Sequence, residues 1–322
     1  MDKNPDSYQK QLLRYEYIGR INRVMDYIEN HLCDDLNLAL LADVANFSRF
    51  HFHRLFSALS GETLNNFIKR TRLERAASLL MDKRKESVAE IAFQCGYNNP
   101  AVFSRAFSEC FQMSPTAFHS GGYKELSKIR KLHSNKHQTD SNSGKDVKDD
   151  NNYFRSIDIK QKTNLIMKVE VKEMPEMHVA YVRHMGNYSE VGPAFEKLMR
   201  WAGPRGFLGG PDSKVLAVYH DDPGVTEEHK LRTSVCVTVP ENTKVDGELG
   251  TMKVAGGKYA CGHFEITDQE FQGAWNAMMG DWLPESGYQC DDNLPYELYH
   301  NNHMDHPEKK HILDICIPVK PL

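Results

Sequence analysis

The 322-residue chain lacks any run of about 18 apolar residues, so no membrane span is expected. Its opening M-D-K-N-P-D-S-Y-Q-K has no apolar stretch of the kind a secretory signal needs. Cysteine is sparse: seven residues, an odd number, with no C-x-x-C pair. That argues against a disulfide framework or a thiolate zinc site, and for structural thiols in a reducing, cytoplasmic setting. No phosphate-binding loop, H-E-x-x-H or Ser/His/Asp motif is present. No cofactor, metal or catalytic residue is therefore expected, and the chain does not read as an enzyme.

What is present divides in two. The formal net charge of −4 conceals an asymmetry. Residues 1–131 carry 19 Lys+Arg against 15 Asp+Glu, whereas residues 153–322 carry 18 against 25. Between them, 132–156 opens with a Ser/Asn/Asp/Lys-rich tract with almost nothing to bury, expected to be a flexible linker. The implied domains are 12–122 and 157–322.

Before the linker the apolar period is helical. Ile18, Ile21, Met25, Ile28 and Leu32 recur at steps of three and four, as do Leu64, Phe67, Ile68, Leu73, Ala76, Ala77 and Leu80. Ser87 with Glu90 fits a capping box, and Ser114-Pro115 fits an N-cap followed by proline at N1. About seven helices and no strand are expected. After the linker, alternation takes over in L-I-M-K-V-E-V, H-V-A-Y-V-R-H, K-V-L-A-V-Y-H, R-T-S-V-C-V-T-V and H-I-L-D-I-C-I-P-V. Amphipathic helices around 189–202 and 268–283 interrupt these strands, which makes an α+β domain.

Each half is duplicated. A-D-V-A-N-F-S (42–48) pairs with A-F-Q-C-G-Y-N (92–98), and F-H-R-L-F-S (52–57) with F-S-R-A-F-S (103–108). Further on, L-A-V-Y-H (216–220) pairs with Y-E-L-Y-H (296–300), and V-C-V-T-V-P (235–240) with I-C-I-P-V (315–319). These are two-fold duplications, too few for a solenoid.

Taken as a helix, 48–59 turns Phe52, Leu55, Phe56 and Leu59 toward a core. Phe50, His53, Arg54 and Ser57 then face outward, with Arg49 beside them. In the second copy, a helix over 99–111, Ala101, Ser104 and Arg105 take the outward places. Each follows a short helix and a tight turn, the arrangement of a helix-turn-helix whose second helix enters a DNA major groove. The connecting helix, Thr63 to Leu80, spans about 27 Å, so two successive grooves, about 34 Å apart, come within reach. In S-R-F-H-F-H-R-L-F, His51 and His53 lie about 200° apart on a helix and cannot share an ion.

The run from L-A-D-V-A-N-F-S-R-F-H-F-H-R-L-F-S through V-A-E-I-A-F-Q-C-G-Y-N-N-P-A-V-F-S-R-A-F-S-E-C-F-Q-M-S-P resembles the AraC/XylS family of transcription regulators over about residues 15–122. The resemblance implies promoter DNA as partner, RNA polymerase as a further one, and an activator. The implied DNA-binding set is Arg49, Phe50, His53, Arg54 and Ser57 in the first helix, and Ala101, Ser104 and Arg105 in the second. Gln112-Met113 departs from the family's Gly-Val and leaves that helix end without a glycine cap.

Glu297 is the residue to explain in the second half. It lies in a strand where the repeat copy carries Ala217, on the same face as Tyr299, and a buried carboxylate needs a compensating group. A bound cation over aromatic faces would serve. Exposure to solvent, or pairing with a nearby Lys or Arg, is the competing reading. The stretches R-H-M-G-N-Y-S-E-V, L-R-T-S-V-C-V-T-V, W-L-P-E-S-G-Y and P-Y-E-L-Y resemble the GyrI-like effector-binding domain over about 166–320. This implies a pseudo-two-fold α+β domain with a groove between the repeats, in agreement with the duplication, with Glu297 as the acidic pocket residue and Tyr219, Tyr299 and Trp282 around a cationic or aromatic small molecule. The alternatives are a hydrolase with Glu297 as general base, and a protein-interaction module of the gyrase-inhibitor kind. His300, His303 and His306 form H-x-x-H-x-x-H, which reads as a solvated loop rather than a metal site.

Overall fold

The structure is a computed structural model, and residues 5–81, 86–122, 168–223 and 226–322 are described. The whole expected linker, 132–156, and its flanks, 123–131 and 157–167, lie outside the described residues, as does the start of the first expected strand. The described residues fall into two compact units that do not follow chain order. One gathers residues from 1–24, 38–64 and 159–322; the other gathers residues from 25–37 and 65–158.

The helices are α1 (Pro5–Asn30), α2 (Leu38–Ala45), α3 (Phe52–Ser60), α4 (Leu64–Met81), α5 (Val88–Gln94), α6 (Pro100–Phe111) and α7 (Pro115–Ala117). No strand occurs among the described residues before β1. The caps follow local chemistry. Ser87 accepts from the Glu90 backbone while the Glu90 carboxylate accepts from the Ser87 N–H, the expected capping box. Asn99 caps α6 through the Ala101 N–H, with Pro100 at N1, and Ser114 caps α7 through the Ala117 N–H. Gln112, where a glycine was missed, adopts φ 54°, so a side-chain-bearing residue takes the left-handed position that ends α6. By contrast α3 ends on Gly61 at φ 78°. α3 begins four residues later than the sequence suggested. The Ser48 hydroxyl donates to Asp292 Oδ1 at 2.7 Å, and His51, at the N-cap, makes no side-chain cap bond.

In the second unit, Leu73, Ala76, Ala77 and Leu80 of α4 pack with Ile91 and Ala92 of α5 and with Phe103, Phe107 and Phe111 of α6. Phe118 closes this core, its ring 5.2 Å from Phe107. Gly96 has φ 77°, and a Cβ there would lie 2.1 Å from the Leu32 carbonyl oxygen. Only glycine fits that turn.

The first unit is built on an all-antiparallel sheet: β1 (Lys168–Met174), β2 (Met177–Met185), β3 (Val215–Tyr219), β4 (Arg232–Thr238), β5 (Leu249–Val254), β6 (Gly257–Ile266), β7 (Tyr288–Cys290), β8 (Tyr296–Tyr299) and β9 (His311–Pro321). The order is β1-β6-β9-β8-β3-β4-β2-β5, with β7 on β9. This order is its own mirror when the repeats exchange, and Ala217 pairs with Glu297 at the centre. The repeat-equivalent positions thus meet on the pseudo-two-fold. The edge strands β1 and β5 each pair with the other repeat's strand, β6 and β2. β5 and β6 were not legible in advance: L-G-T-M-K-V and G-K-Y-A-C-G-H-F-E-I are broken by glycine and lack clean alternation. Helix α8 (Gly192–Ala202) serves one repeat; α9 (Phe271–Asn276), extended as a wider turn over Ala277–Trp282, serves the other. All seven cysteines are free, five of them buried.

Candidate functional site

The central strand pair positions the site. β8 buries Glu297 completely, and the ends of β3 and β8 bring Tyr219 and Tyr299 to it. Tyr219 and Tyr299 donate to Glu297 Oε2 at 2.6 and 2.7 Å. Trp275 Nε1 donates to Oε1 at 2.7 Å. Burial pushes the Glu297 carboxyl above its ordinary range, while the two tyrosines, the indole and Arg54 oppose that shift. Both tyrosine hydroxyls are held well above their usual value by burial and by the adjacent carboxylate. Outer aromatics fix the cradle: Tyr188 meets Tyr219 edge-on at 4.9 Å, and Phe195 meets Tyr299 at 5.3 Å.

The indole partner is a correction. Trp282, expected at Glu297, instead stacks 6.4 Å from Tyr288, and Trp275 takes the place beside the carboxylate. Trp201 and Trp282 match across the repeats in sequence, but the indole that meets the carboxylate lies seven residues before Trp282. The signal for Trp275 was present: the helix expected around 268–283 carries a tryptophan there as well as Trp282.

A cation also lies at this cradle, and it belongs to the protein. The Arg54 guanidinium of α3 sits 4.5 Å from the Trp275 ring centre and 5.7 Å from that of Tyr219. Its Nε pairs with Asp222 at 3.2 Å, and Nη2 donates to the Asp221 carbonyl at 3.3 Å. Tyr188 donates to that same carbonyl at 2.6 Å. Around Arg54, His51 reaches the Asn293 carbonyl at 3.0 Å, and Ala58 faces Gly280. Burial and the nearby arginine lower the His51 pKa to about 4.

The expected DNA-binding positions divide accordingly. Phe50 is 58% exposed, and Arg49 is exposed, paired with Asp43 at 2.7 Å. His53 is not outward. It is buried, accepts from the Leu64 N–H at 3.3 Å and lies 3.2 Å from Asp222. Arg54 is largely covered, its side chain 14% exposed, and Ser57 is half-buried. The inference of outwardness failed because a second surface covers that face of α3. In α6, Ala101 and Arg105 are exposed and Ser104 is half-buried.

His300, His303 and His306 do not converge. His303 stacks on His311, and His306 accepts from the backbone of Glu308. Only His300 joins a trio, with His263 and Asp314, whose ligating atoms lie within 4.8 Å of one another. Asp314 faces its strand partner His263 at 2.7 Å and His300 at 3.1 Å. Spacing along the chain could not reveal three residues brought together by β6, β9 and the end of β8. No helix among the described residues is long and apolar enough to cross a membrane.

Two family profiles match the chain. The GyrI-like small molecule binding domain matches residues 167–320, and a helix-turn-helix domain of AraC type matches 41–120. The chain belongs to the GyrI-like family and carries an AraC-type DNA-binding region. DNA gyrase inhibitor 2 of Dickeya dadantii is 33% identical over 129 residues, 39% of this chain and 80% of that protein. The DNA gyrase inhibitor of Edwardsiella piscicida is 28% identical over 159 residues, 48% of this chain and 99% of its own length. For the helical half, the probable transcriptional regulator LumQ of Photobacterium leiognathi is 33% identical over 103 residues, 31% of this chain and 41% of LumQ. The relatives named here for the two halves are different proteins, and this chain carries both regions.

Proposed function

We propose that this AraC-type regulator binds promoter DNA through α3 and α6, in successive major grooves, and answers to a cationic, aromatic small molecule at Glu297. Arg54 and Arg105 would bond guanine, and Phe50 and Ala101 would contact thymine methyls, with Arg49, Ser57 and Ser104 on the backbone. Activation would run through RNA polymerase, favoured by whichever conformation the ligand binds more tightly. The observation that carries the effector reading is a buried carboxylate ringed by Tyr219, Tyr299 and Trp275, with a guanidinium already stacked on the aromatic wall. A planar amidinium reproduces that guanidinium, so benzamidine is a suitable probe. Glu297→Gln should weaken its binding by about tenfold, roughly 1.4 kcal/mol, by calorimetry. Unchanged affinity would remove Glu297 from the site.

The pocket is read as sensing rather than catalytic. Both Glu297 oxygens already accept hydrogen bonds, which opposes a general-base role. A second reading draws on the relatives named DNA gyrase inhibitors. In it, the GyrI-like half binds gyrase, and retention of purified gyrase by the full-length chain would support it.

A further inference from the structure

We infer that Arg54 is a tethered stand-in for the effector: while it fills the aromatic cradle, α3 cannot read DNA. Displacement by a cationic ligand would then free the helix. The inference rests on the effector reading of the Glu297 site and adds its regulation.

Two functions converge on one side chain. By its repeat position Arg54 is the counterpart of Arg105, and both carry the outward charge of a recognition helix. Yet the Arg54 guanidinium is stacked on Trp275 and Tyr219 and tied to Asp222 and the Asp221 carbonyl. The docking is not confined to one residue. Ser48 and His51 bond Asp292 and the Asn293 carbonyl, His53 lies against Asp222, and Ala58 abuts Gly280. A major groove is about 12 Å wide, and a helix with its side chains is 10–12 Å across. A helix whose reading face is covered by a folded domain cannot also lie in that groove.

The cradle has the same demand from the other direction. Arg54 lies over the rings of Trp275 and Tyr219, with Glu297 buried behind them, so a cation that stacks on those same faces must take the place of Arg54. Ligand and docked helix therefore compete, and ligand and DNA favour the same open state. Asp222 holds both Arg54 and His53 from outside α3, so it is the side chain whose removal loosens the docked state.

Two ligand-free measurements test this in the full-length chain. The first locks the contact. A Cβ at Gly280 would lie 3.3 Å from the Ala58 Cβ, just short of the roughly 3.5–4.5 Å that a disulfide spans, so with a slight outward shift Ala58→Cys with Gly280→Cys should cross-link on oxidation. The oxidised protein should lose at least tenfold in specific DNA affinity and recover it on reduction. The second unlocks the contact. Asp222→Ala should strengthen specific DNA binding at least threefold, while Asp212→Ala, which removes the same charge at an exposed site, should not. Equal DNA affinity of cross-linked and reduced protein overturns the inference. If the cross-link does not form, equal behaviour of Asp222→Ala and wild type overturns it. Saturating benzamidine should raise wild-type DNA affinity to the level of Asp222→Ala. Failure of benzamidine to bind, with the lock still blocking DNA, would fault the effector reading and leave the docking intact. Glu297-dependent benzamidine binding with no effect of lock or Asp222→Ala would do the reverse.

Discussion

Helices α3 and α6 are copies by sequence and opposites by environment. Each plants two phenylalanines of one stripe in a core, Phe52 and Phe56 in α3, Phe103 and Phe107 in α6, all fully buried. Each then carries an arginine two residues after the first of these. In α6 that residue, Arg105, is exposed; in α3 it is Arg54, stacked on an indole. The inward half of an amphipathic helix is fixed by its own unit, whereas the outward half takes whatever partner is available. A cationic outward face fits a phosphate-lined groove, and it equally fits an aromatic, acidic cradle.

The comparison can be broken most severely at the shared inward positions. Phe52→Ala and Phe103→Ala should each destabilise by about 3–5 kcal/mol in denaturant titrations, because both leave a cavity in a filled core. A difference much larger than the spread of such costs would show that the copies are not packed alike. At the outward positions the copies should diverge. Arg105→Ala should lower specific DNA binding by about 1–3 kcal/mol in competition binding. Arg54→Ala should lower it by less, since losing the base contact is offset by losing the docked state. Equal losses would mean that docking does not limit α3.

Acidity offers a third separation. The docked His51 has its pKa lowered to about 4. Arg54, Asp222 and Asp292 face it, and the Asn293 carbonyl bonds it. Released, it returns toward about 6.5. The undocked state then binds more protons below that value, so docking is fully stable above about pH 6.5 and weakens as pH falls toward 4. Between pH 7.5 and 5.5 the docked state should lose about tenfold, roughly 1.4 kcal/mol. Comparing the DNA affinity of wild type with that of His51→Gln across that range checks this, since the variant should lack the increment. The smallest effect lies at the helix ends. Gln112→Gly gives α6 the left-handed glycine that α3 has in Gly61, and should stabilise by about 1 kcal/mol in thermal unfolding. Destabilisation instead would mean that the Gln112 amide bond to the Glu109 carbonyl outweighs backbone strain.

Much of this was legible beforehand, for local reasons. The capping box at Ser87, the proline starts at 100 and 115, and the inward stripes each rest on residues within one or two turns. Glu297 stood out because its repeat partner is alanine, and the strand pairing placed those two opposite one another. The illegible part came from residues far apart in the chain. Trp275 replaced Trp282 because the depth of α9 against β8 is set by packing, not by repeat spacing. His53 turned inward and Arg54 was covered because Asp222, 168 residues beyond Arg54, supplies the partner. The His263–His300–Asp314 trio is of the same kind.

By itself the sequence determined the helices, the alternating strands, the duplication in each half and the family to which they belong. These follow from period, caps and turn chemistry, which act over a few residues. Only the tertiary structure decided which face of α3 is free, which tryptophan meets Glu297, and that the cradle holds an arginine. Those depend on surfaces brought together across more than a hundred residues, where a charged side chain can satisfy either of two partners and local chemistry does not choose between them.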